Sequence, residues 1–584
     1  MKPKAETVDE ILAGLADCTR FGARFVSASE QADFYSYAEI VRRTRAAAAF
    51  LQSQGLKPGD HVAIILSTGV QFFDAFLGTQ LAGAVPTALY PPFRLGKLDE
   101  YFMRLRRMLT RIDARFLITE KRIRRLIGEG VADVPSLRSV IDASELLSTS
   151  GEPASVTVDP DSAAFFQFSS GSTSDPKAVV ISHRNLTCNL AMMQQVLVYR
   201  DLSEVENGVV SWLPLYHDMG LVGCVYLGLY YPATITYLGP DTFLAQPALW
   251  LRTISRYKAA LSPAPNFAYA YCVNKIRDEE LDGVDISRWR LALNGAEPID
   301  VDGIRAFTER FARWGLPQEA ITPVYGLAEA GLAVTFTSPD EPPLVTEFDR
   351  DILATEARAV RGIGRKLVSV GSPLPGIAIE IRDGVERVLR EGDVGRVLIK
   401  GPSVTSGYFN DPEASARTIQ DGWLDTGDLG FFLEGHLYIV GRVKDLIIIR
   451  GRNFAPQEVE ELLVSVPGLR AGCAVAVGGF VEGQGEQLII LAESDIRNPR
   501  NAEEVVAEVR SRVRTGLALS PHHVELLPPG TLPRTSSGKL RRSEALRQFV
   551  AGQLVPPEKV TALKLLLEMG KSRLAWSRFS SHER

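Results

Sequence analysis

The sequence predicts an α/β protein. A large N-terminal domain of helix-covered parallel sheets, with a small β-rich subdomain, should precede a small, mobile α+β C-terminal domain. Three observations carry this expectation. Apolar β-like runs alternate with helical ones through the first two-thirds of the chain. The texture turns to short strands and turns after about Gly371, and a further strand-and-helix unit begins near Gly441. Such alternation implies βαβ units whose parallel sheets are covered by helices. At 584 residues the chain also exceeds one ordinary core. The expected division is 1–443, then 444–555, then a tail over 556–584.

In chain order, strands are expected at 61–66, 85–89, 115–119, 164–168, 209–213 and 290–294, with a helix over 71–82. Later strands fall at 395–401, 474–477 and 488–491. Helices are expected around 502–514 and over 560–567, the latter amphipathic and without an assigned task. From Met219 to Pro240 no residue is charged, a stretch long enough to span a bilayer. Gly220, Gly223, Gly228 and Pro232 interrupt it, and it runs into Thr234-Ile235-Thr236-Tyr237. A buried helix followed by a buried strand is therefore expected.

Composition excludes several classes. Hydrophobic residues make up 45% and charged ones 23%, as in globular proteins. A net charge of −5 gives no reason to expect nucleic acid. Cys18, Cys188, Cys224, Cys272 and Cys473 are scattered without a CxxC pair, which fits a reduced compartment and offers no zinc site. The start, Met1-Lys2-Pro3-Lys4, lacks a signal-peptide run. A cytoplasmic protein without a transmembrane segment is expected. His522-His523 reads as a loop pair rather than a metal site, and 201–206 as a solvated helical face.

The first chemical motif, Ser169-Ser170-Gly171-Ser172-Thr173-Ser174-Asp175-Pro176-Lys177, follows an expected strand. Small hydroxylated residues around a glycine let backbone N–H groups turn inward, and with Lys177 they form a nest for phosphate oxygens. It is not a Walker loop, since GxxxxGK[ST] is absent. Beside it stand Trp212-Leu213-Pro214-Leu215-Tyr216-His217-Asp218-Met219-Gly220, Asn294-Gly295-Ala296-Glu297-Pro298 and Tyr325-Gly326-Leu327-Ala328-Glu329-Ala330. Further on come Trp423-Leu424-Asp425-Thr426-Gly427-Asp428, Gly441-Arg442-Val443-Lys444-Asp445 and Pro533-Arg534-Thr535-Ser536-Ser537-Gly538-Lys539. Alone, Asp428 would be a turn residue, Lys539 a solvated loop lysine and His217 a core histidine.

Taken in order, from Tyr37 to about Arg542, these motifs closely resemble the AMP-forming acyl-activating superfamily of acyl-CoA synthetases, luciferases and peptide-synthetase adenylation domains. The resemblance implies ATP and Mg²⁺ as cofactors. It assigns the Ser169–Lys177 loop to the β- and γ-phosphates and Glu329 to the magnesium ion. Tyr325, in Tyr325-Gly326, would stack on adenine, with Gly295, Ala296 and Glu297 near its edge and Ile439 on the other face. Asp428 would accept from the ribose hydroxyls beside Arg442. Lys539 would bridge the carboxylate and the α-phosphate, His217 would lie between phosphate and acyl pocket, and Lys444 would be the hinge. Two positions depart from the pattern: Ala328 stands where threonine is common, and Ala178 where glycine is common.

The stretch between Glu329 and Gly371 is longer than acyl-CoA synthetases usually carry. Together with the motifs it resembles the fatty acyl-AMP ligases. These make the adenylate of a long-chain fatty acid and pass the acyl group to the phosphopantetheine of a holo acyl carrier protein, in polyketide or lipopeptide synthesis. The apolar run from Met219 to Leu238 would suit an alkyl chain. The insertion over 340–366 is expected to pack on the protein's own surface through Val345, Phe348, Ile352, Leu353, Val360 and Ile363. The alternative enzyme is a long-chain acyl-CoA synthetase. A regulatory module with a decayed site is opposed by the presence of Glu329, Asp428, Arg442 and Lys539.

Overall fold

The computed structural model describes residues 3–92, 95–149, 151–169, 176–198, 208–339, 341–481, 485–495, 499–535, 538–557 and 562–582. The helical face expected at 201–206 lies outside them. Two largely parallel sheets dominate. In one, the strands run in the order Ser139–Asp142, Phe116–Thr119, His61–Ile65, Val85–Ala88, Ala163–Phe168 and Ala178–Ser182, the last antiparallel. The larger sheet has a parallel centre of Ile321–Gly326, Leu291–Gly295, Leu261–Pro265, Val209–Ser211, Ile235–Leu238 and Gly22–Val26, with antiparallel strands at both edges. Every residue of Val85–Ala88, Phe116–Thr119 and Ile235–Leu238 is buried. That is why these strands read as unbroken apolar runs: both faces are covered, so no polar alternation survives.

The uncharged stretch after Met219 resolves as expected. Helical turns Asp218–Gly220, Leu221–Tyr226 (wound as a π-helix) and Leu227–Tyr230 lead into the strand Ile235–Leu238. Among the described residues no helix is long and apolar enough to cross a membrane. Past Gly371 an antiparallel β unit is built from Ala378–Arg382, Gly395–Lys400, Ile419–Gln420, Trp423–Leu433 and His436–Arg442. Residues beyond Lys444 gather round separate cores, with a three-stranded sheet of Leu469–Val481, Gly485–Ser494 and His523–Leu527. His523 opens a strand rather than sitting in a loop, and its Nε2 lies 2.8 Å from Glu525 Oε2.

The insertion is an ordered hairpin. Strands Val345–Asp349 and Gly364–Val368 pair antiparallel, with a helix Arg350–Glu356 between them. Phe348 and Leu353 bury against Phe431 and Tyr438, and Thr346 Oγ1 meets Tyr438 Oη at 2.9 Å. Only part of the expected apolar set is covered: Val345, Val360 and Ile363 are exposed. Ile363 lies between Gly362 and Gly364 and points outward, being 91% exposed.

The tail departs further from expectation. Its helix spans Ala562–His582 and lies along the helix Lys121–Val131. Leu566 and Leu567, within the stretch expected to be amphipathic, are exposed, whereas Ser572 and Ala575 are buried. Small residues decide which side docks. Gly128 N–H donates to Ser572 Oγ at 2.9 Å, and Trp576 Nε1–H donates to the Arg124 carbonyl at 2.9 Å. A Cβ at Gly128 would stand 2.4 Å from the Ser572 carbonyl oxygen, closer than any real contact. Gly128→Ala should therefore undock the tail helix, seen as faster hydrogen exchange of its amides with little change in the sheets. Unaltered exchange would contradict this packing.

Candidate active site

Parallel sheets present ligands with the loops at the carboxyl ends of their strands. Four such ends meet here. Ala163–Phe168 leads to Ser169, Val209–Ser211 to the segment holding His217, Leu291–Gly295 to Ala296 and Glu297, and Ile321–Gly326 to Glu329. The two sheets are stitched together at this edge, since Gln167 Nε2–H donates to the Tyr216 carbonyl at 3.0 Å. Ser169 N–H donates to the Lys177 carbonyl at 3.2 Å, closing the hydroxyl-rich loop at its base. Ser170, Gly171, Ser172, Thr173 and Ser174 lie outside the described residues. Burial lowers the Lys177 pKa, and the Lys444 charge lowers it further, against Asp411 and Glu329.

Tyr325, Asp428 and Arg442 form one polar chain. Tyr325 Oη–H donates to Asp428 Oδ2 at 2.6 Å, and Arg442 Nε–H donates to Asp428 Oδ1 at 3.0 Å. Asp428 N–H donates to Thr426 Oγ1 at 3.1 Å, and Thr426 donates in turn to the Val397 carbonyl. Burial and the adjacent Asp428 charge push the Tyr325 phenol well above its ordinary range. Gly326 is forced by close approach: a Cβ there would stand 1.9 Å from the Leu332 carbonyl oxygen. Ala296 adopts φ 69°, a left-handed conformation rare outside glycine and common where loops serve a site. Gly295 is buried and Ile439 half-buried.

Lys539 comes from the far end of the chain. Its loop is a built turn: Thr535 N–H donates to the Lys539 carbonyl at 2.8 Å, and Lys539 N–H donates to Thr535 Oγ1 at 3.1 Å. Arg534 Nη1–H donates to the Gly538 carbonyl at 2.8 Å. Burial lowers the Lys539 pKa, opposed by the negative charges of Glu297 and Asp218. Glu297 is held by the amide of Phe267, which donates to its Oε1 at 2.6 Å. Burial pushes the Glu297 carboxyl above its ordinary value. Asp218 is also driven up by burial, but His217, Lys539 and the Met219 amide outweigh this and hold it low. His217 Nδ1 lies 2.5 Å from Asp218 Oδ1.

Glu329 sits on the turn Ala328–Ala330, where burial raises its pKa. Tyr408 Oη–H donates to Glu329 Oε1 at 3.1 Å, and Lys177 Nζ lies 4.6 Å from the Tyr408 ring centre. No motif singled out Tyr408; in the sequence it is one aromatic in Ser406-Gly407-Tyr408-Phe409. One carboxylate beside a cationic loop suits magnesium, which takes one or two protein carboxylates and completes its shell with water and phosphate. No cluster of three metal-ligating side chains exists among the described residues. Lys444 lies on the exposed turn Val443–Asp445, just past Arg442.

The chain is similar in sequence and fold to known proteins. The AMP-binding enzyme family matches residues 17–409. A Caulobacter vibrioides protein, provisionally named an acyl-CoA synthetase, is 35% identical, covering 88% of this chain and 90% of its own. The long-chain-fatty-acid--AMP ligase FadD26 of Mycobacterium marinum is 34% identical, over 89% of this chain and 92% of its own. JamA of Moorena producens, named a medium-chain-fatty-acid--[acyl-carrier-protein] ligase, is 31% identical over 89% and 90%. A solved structure from work on the fatty acyl-adenylate ligases of E. coli and L. pneumophila is 34% identical with a TM-score of 0.89. It covers 94% of this chain and 98% of that one.

Proposed function

The chain belongs to the AMP-binding enzyme family and is an AMP-forming fatty acid ligase, and from that premise we propose that it passes its acyl group to the phosphopantetheine thiol of an acyl carrier protein. The acid is taken to be long-chain, as in the FadD26 name, with the apolar stretch after His217 as its lining. The observation that best supports the reading is that Lys539 feels the charges of Glu297, Asp218, Arg442 and Asp428, the last two joined to each other and to Tyr325 by hydrogen bonds.

In the first step a carboxylate oxygen of the acid bonds to the α-phosphorus of ATP. The bond from that phosphorus to the bridging oxygen breaks, and pyrophosphate leaves with the electron pair. Both reactants are anions, so the work lies in positioning and in neutralising charge. Lys539 spans the carboxylate and the α-phosphate. Lys177 and the loop from Ser169 hold the departing phosphates. Tyr325 stacks on adenine between Gly295–Ala296 and Ile439, and Asp428 accepts from the ribose. Glu329 would hold Mg²⁺, which would offset phosphate charge. The thiol of the second substrate then attacks the acyl carbon, and AMP leaves. Lys539→Ala should slow fatty-acid-dependent pyrophosphate exchange by about 10²–10³, the worth of one contact to a developing oxyanion. Unchanged exchange would remove Lys539 from the chemistry.

The choice of acceptor rests on the insertion. Arg365 pairs with Glu458 at 3.1 Å, both nearly buried, and Arg365 Nη2–H donates to the Val440 carbonyl at 2.8 Å. Arg350 Nη1–H donates to the Gly516 carbonyl. Asp351 meets Arg452 at 2.5 Å, but Asp351 is exposed and such pairs contribute little. Breaking a buried pair costs about 3–5 kcal/mol. A restraint of about 3 kcal/mol suppresses an alternative orientation about the Lys444 hinge roughly a hundredfold. This restraint disfavours the orientation that would admit coenzyme A. The Caulobacter relative's name favours the second reading, transfer to coenzyme A. Intact-mass analysis of holo carrier protein, with ATP, Mg²⁺, mixed fatty acids and competing coenzyme A, separates the two. We expect acylated carrier and little acyl-CoA. Shortening 340–366, or the milder pair Arg365→Met with Glu458→Gln, should raise acyl-CoA formation while adenylation stays nearly constant. Efficient acyl-CoA formation by the intact protein would establish the second reading instead.

A further inference from the structure

We propose that Tyr408 is a positioning residue that holds Lys177 and Glu329 apart and in register before the nucleotide arrives. The proposal rests on the roles given above to those two residues. Lys177 leaves the six-stranded sheet and Glu329 leaves the nine-stranded one, and their opposite charges feel each other. Left alone in a half-buried site, an ammonium and a carboxylate would collapse into an ion pair, leaving neither available for phosphate or metal. They instead occupy different parts of one tyrosine. The carboxylate takes the hydroxyl at 3.1 Å, and the ammonium lies 4.6 Å from the ring centre. Hydrogen bonds to an ionised acceptor and cation–π contacts both strengthen where water is excluded, and Tyr408 is only 8% exposed.

The tyrosine can do this because its own backbone is fixed from both sides. Thr405 N–H donates to the Glu329 carbonyl at 2.8 Å. Val180 N–H donates to the Gly407 carbonyl at 3.0 Å, and Phe409 N–H donates to the Ala178 carbonyl at 2.8 Å. Tyr408 N–H donates to Ser415 Oγ at 2.9 Å. The segment 405–409 thus bridges the turn that carries Glu329 and the strand that leaves Lys177. Such fixing before binding spares the ordering cost at the moment of reaction.

Two variants separate the hydroxyl from the ring. Tyr408→Phe keeps the seat of Lys177 and loses the hold on Glu329, while Tyr408→Leu loses both. Calorimetry of ATP binding without fatty acid, with and without Mg²⁺, reads each effect directly. For Tyr408→Phe we expect metal-free ATP affinity within about twofold of the parent and the gain from Mg²⁺ reduced about tenfold, the scale of one lost bond to a charged group. For Tyr408→Leu we expect both affinities to fall, with Phe recovering the metal-free part. Equal losses in both variants, or an undiminished Mg²⁺ gain in Tyr408→Phe at unchanged Tm, would overturn the proposal. Lys177→Ala and Glu329→Gln serve as references. If they leave ATP affinity and its Mg²⁺ gain unchanged, the roles of those two residues fall and the proposal falls with them. If they respond and Tyr408→Phe does not, Tyr408 alone is dismissed.

Discussion

A lysine charge taken out of water needs a countercharge nearby, and here the countercharge belongs to another part of the chain. Lys539 rides on a turn beyond the last sheet, yet Glu297 and Asp218 come from loops of the nine-stranded sheet. Desolvation disfavours the ammonium, and the two carboxylates offset part of that cost. Each carboxylate is fixed in turn, Glu297 by the Phe267 amide and Asp218 by His217 and the Met219 amide. The attraction acts between the part after Lys444 and the nine-stranded sheet. A substrate carboxylate entering the site would meet the same lysine, so the electrostatics that seat the loop also prepare it for an anion.

The insertion works on the same joint by other means. Its hairpin is nailed to the antiparallel β unit by Phe348, Leu353 and Thr346, which leaves Arg365 with little freedom. A guanidinium so held can meet Glu458 at low entropic cost, unlike the exposed Asp351–Arg452 pair. The tail adds a second attachment. The chain past Ala551 returns to the first sheet's helix Lys121–Val131 through Ser572 and Trp576.

Much of this was legible in the residues. Strands buried on both faces announce themselves as apolar runs, so 85–89 and 115–119 were found within a residue of their observed ends. Among the described motif residues, Ser169, Gly295, Tyr325 and Glu329 lie at strand ends or the turns after them, Asp428 lies within the strand Trp423–Leu433, and Lys539 lies on a turn. What was not legible depends on distant partners. Tyr408 matters through Glu329, 79 residues away, and nothing in its own surroundings marks it. The tail's docking face is set by Gly128, 444 residues from Ser572, and it leaves Leu566 and Leu567 exposed. Ile363 looked like a packing residue because composition alone does not show that flanking glycines turn it outward.

The claim that the part beyond Lys444 is held in one orientation is tested most directly by a distance. Spin labels at cysteines replacing exposed Phe34 and Phe480, with Cys18 and Cys473 changed to serine, report across the joint. A single narrow distance distribution, unmoved by ATP or coenzyme A and broadened by Arg365→Met with Glu458→Gln, is the predicted result. A broad or two-population distribution in the otherwise intact protein would contradict the account.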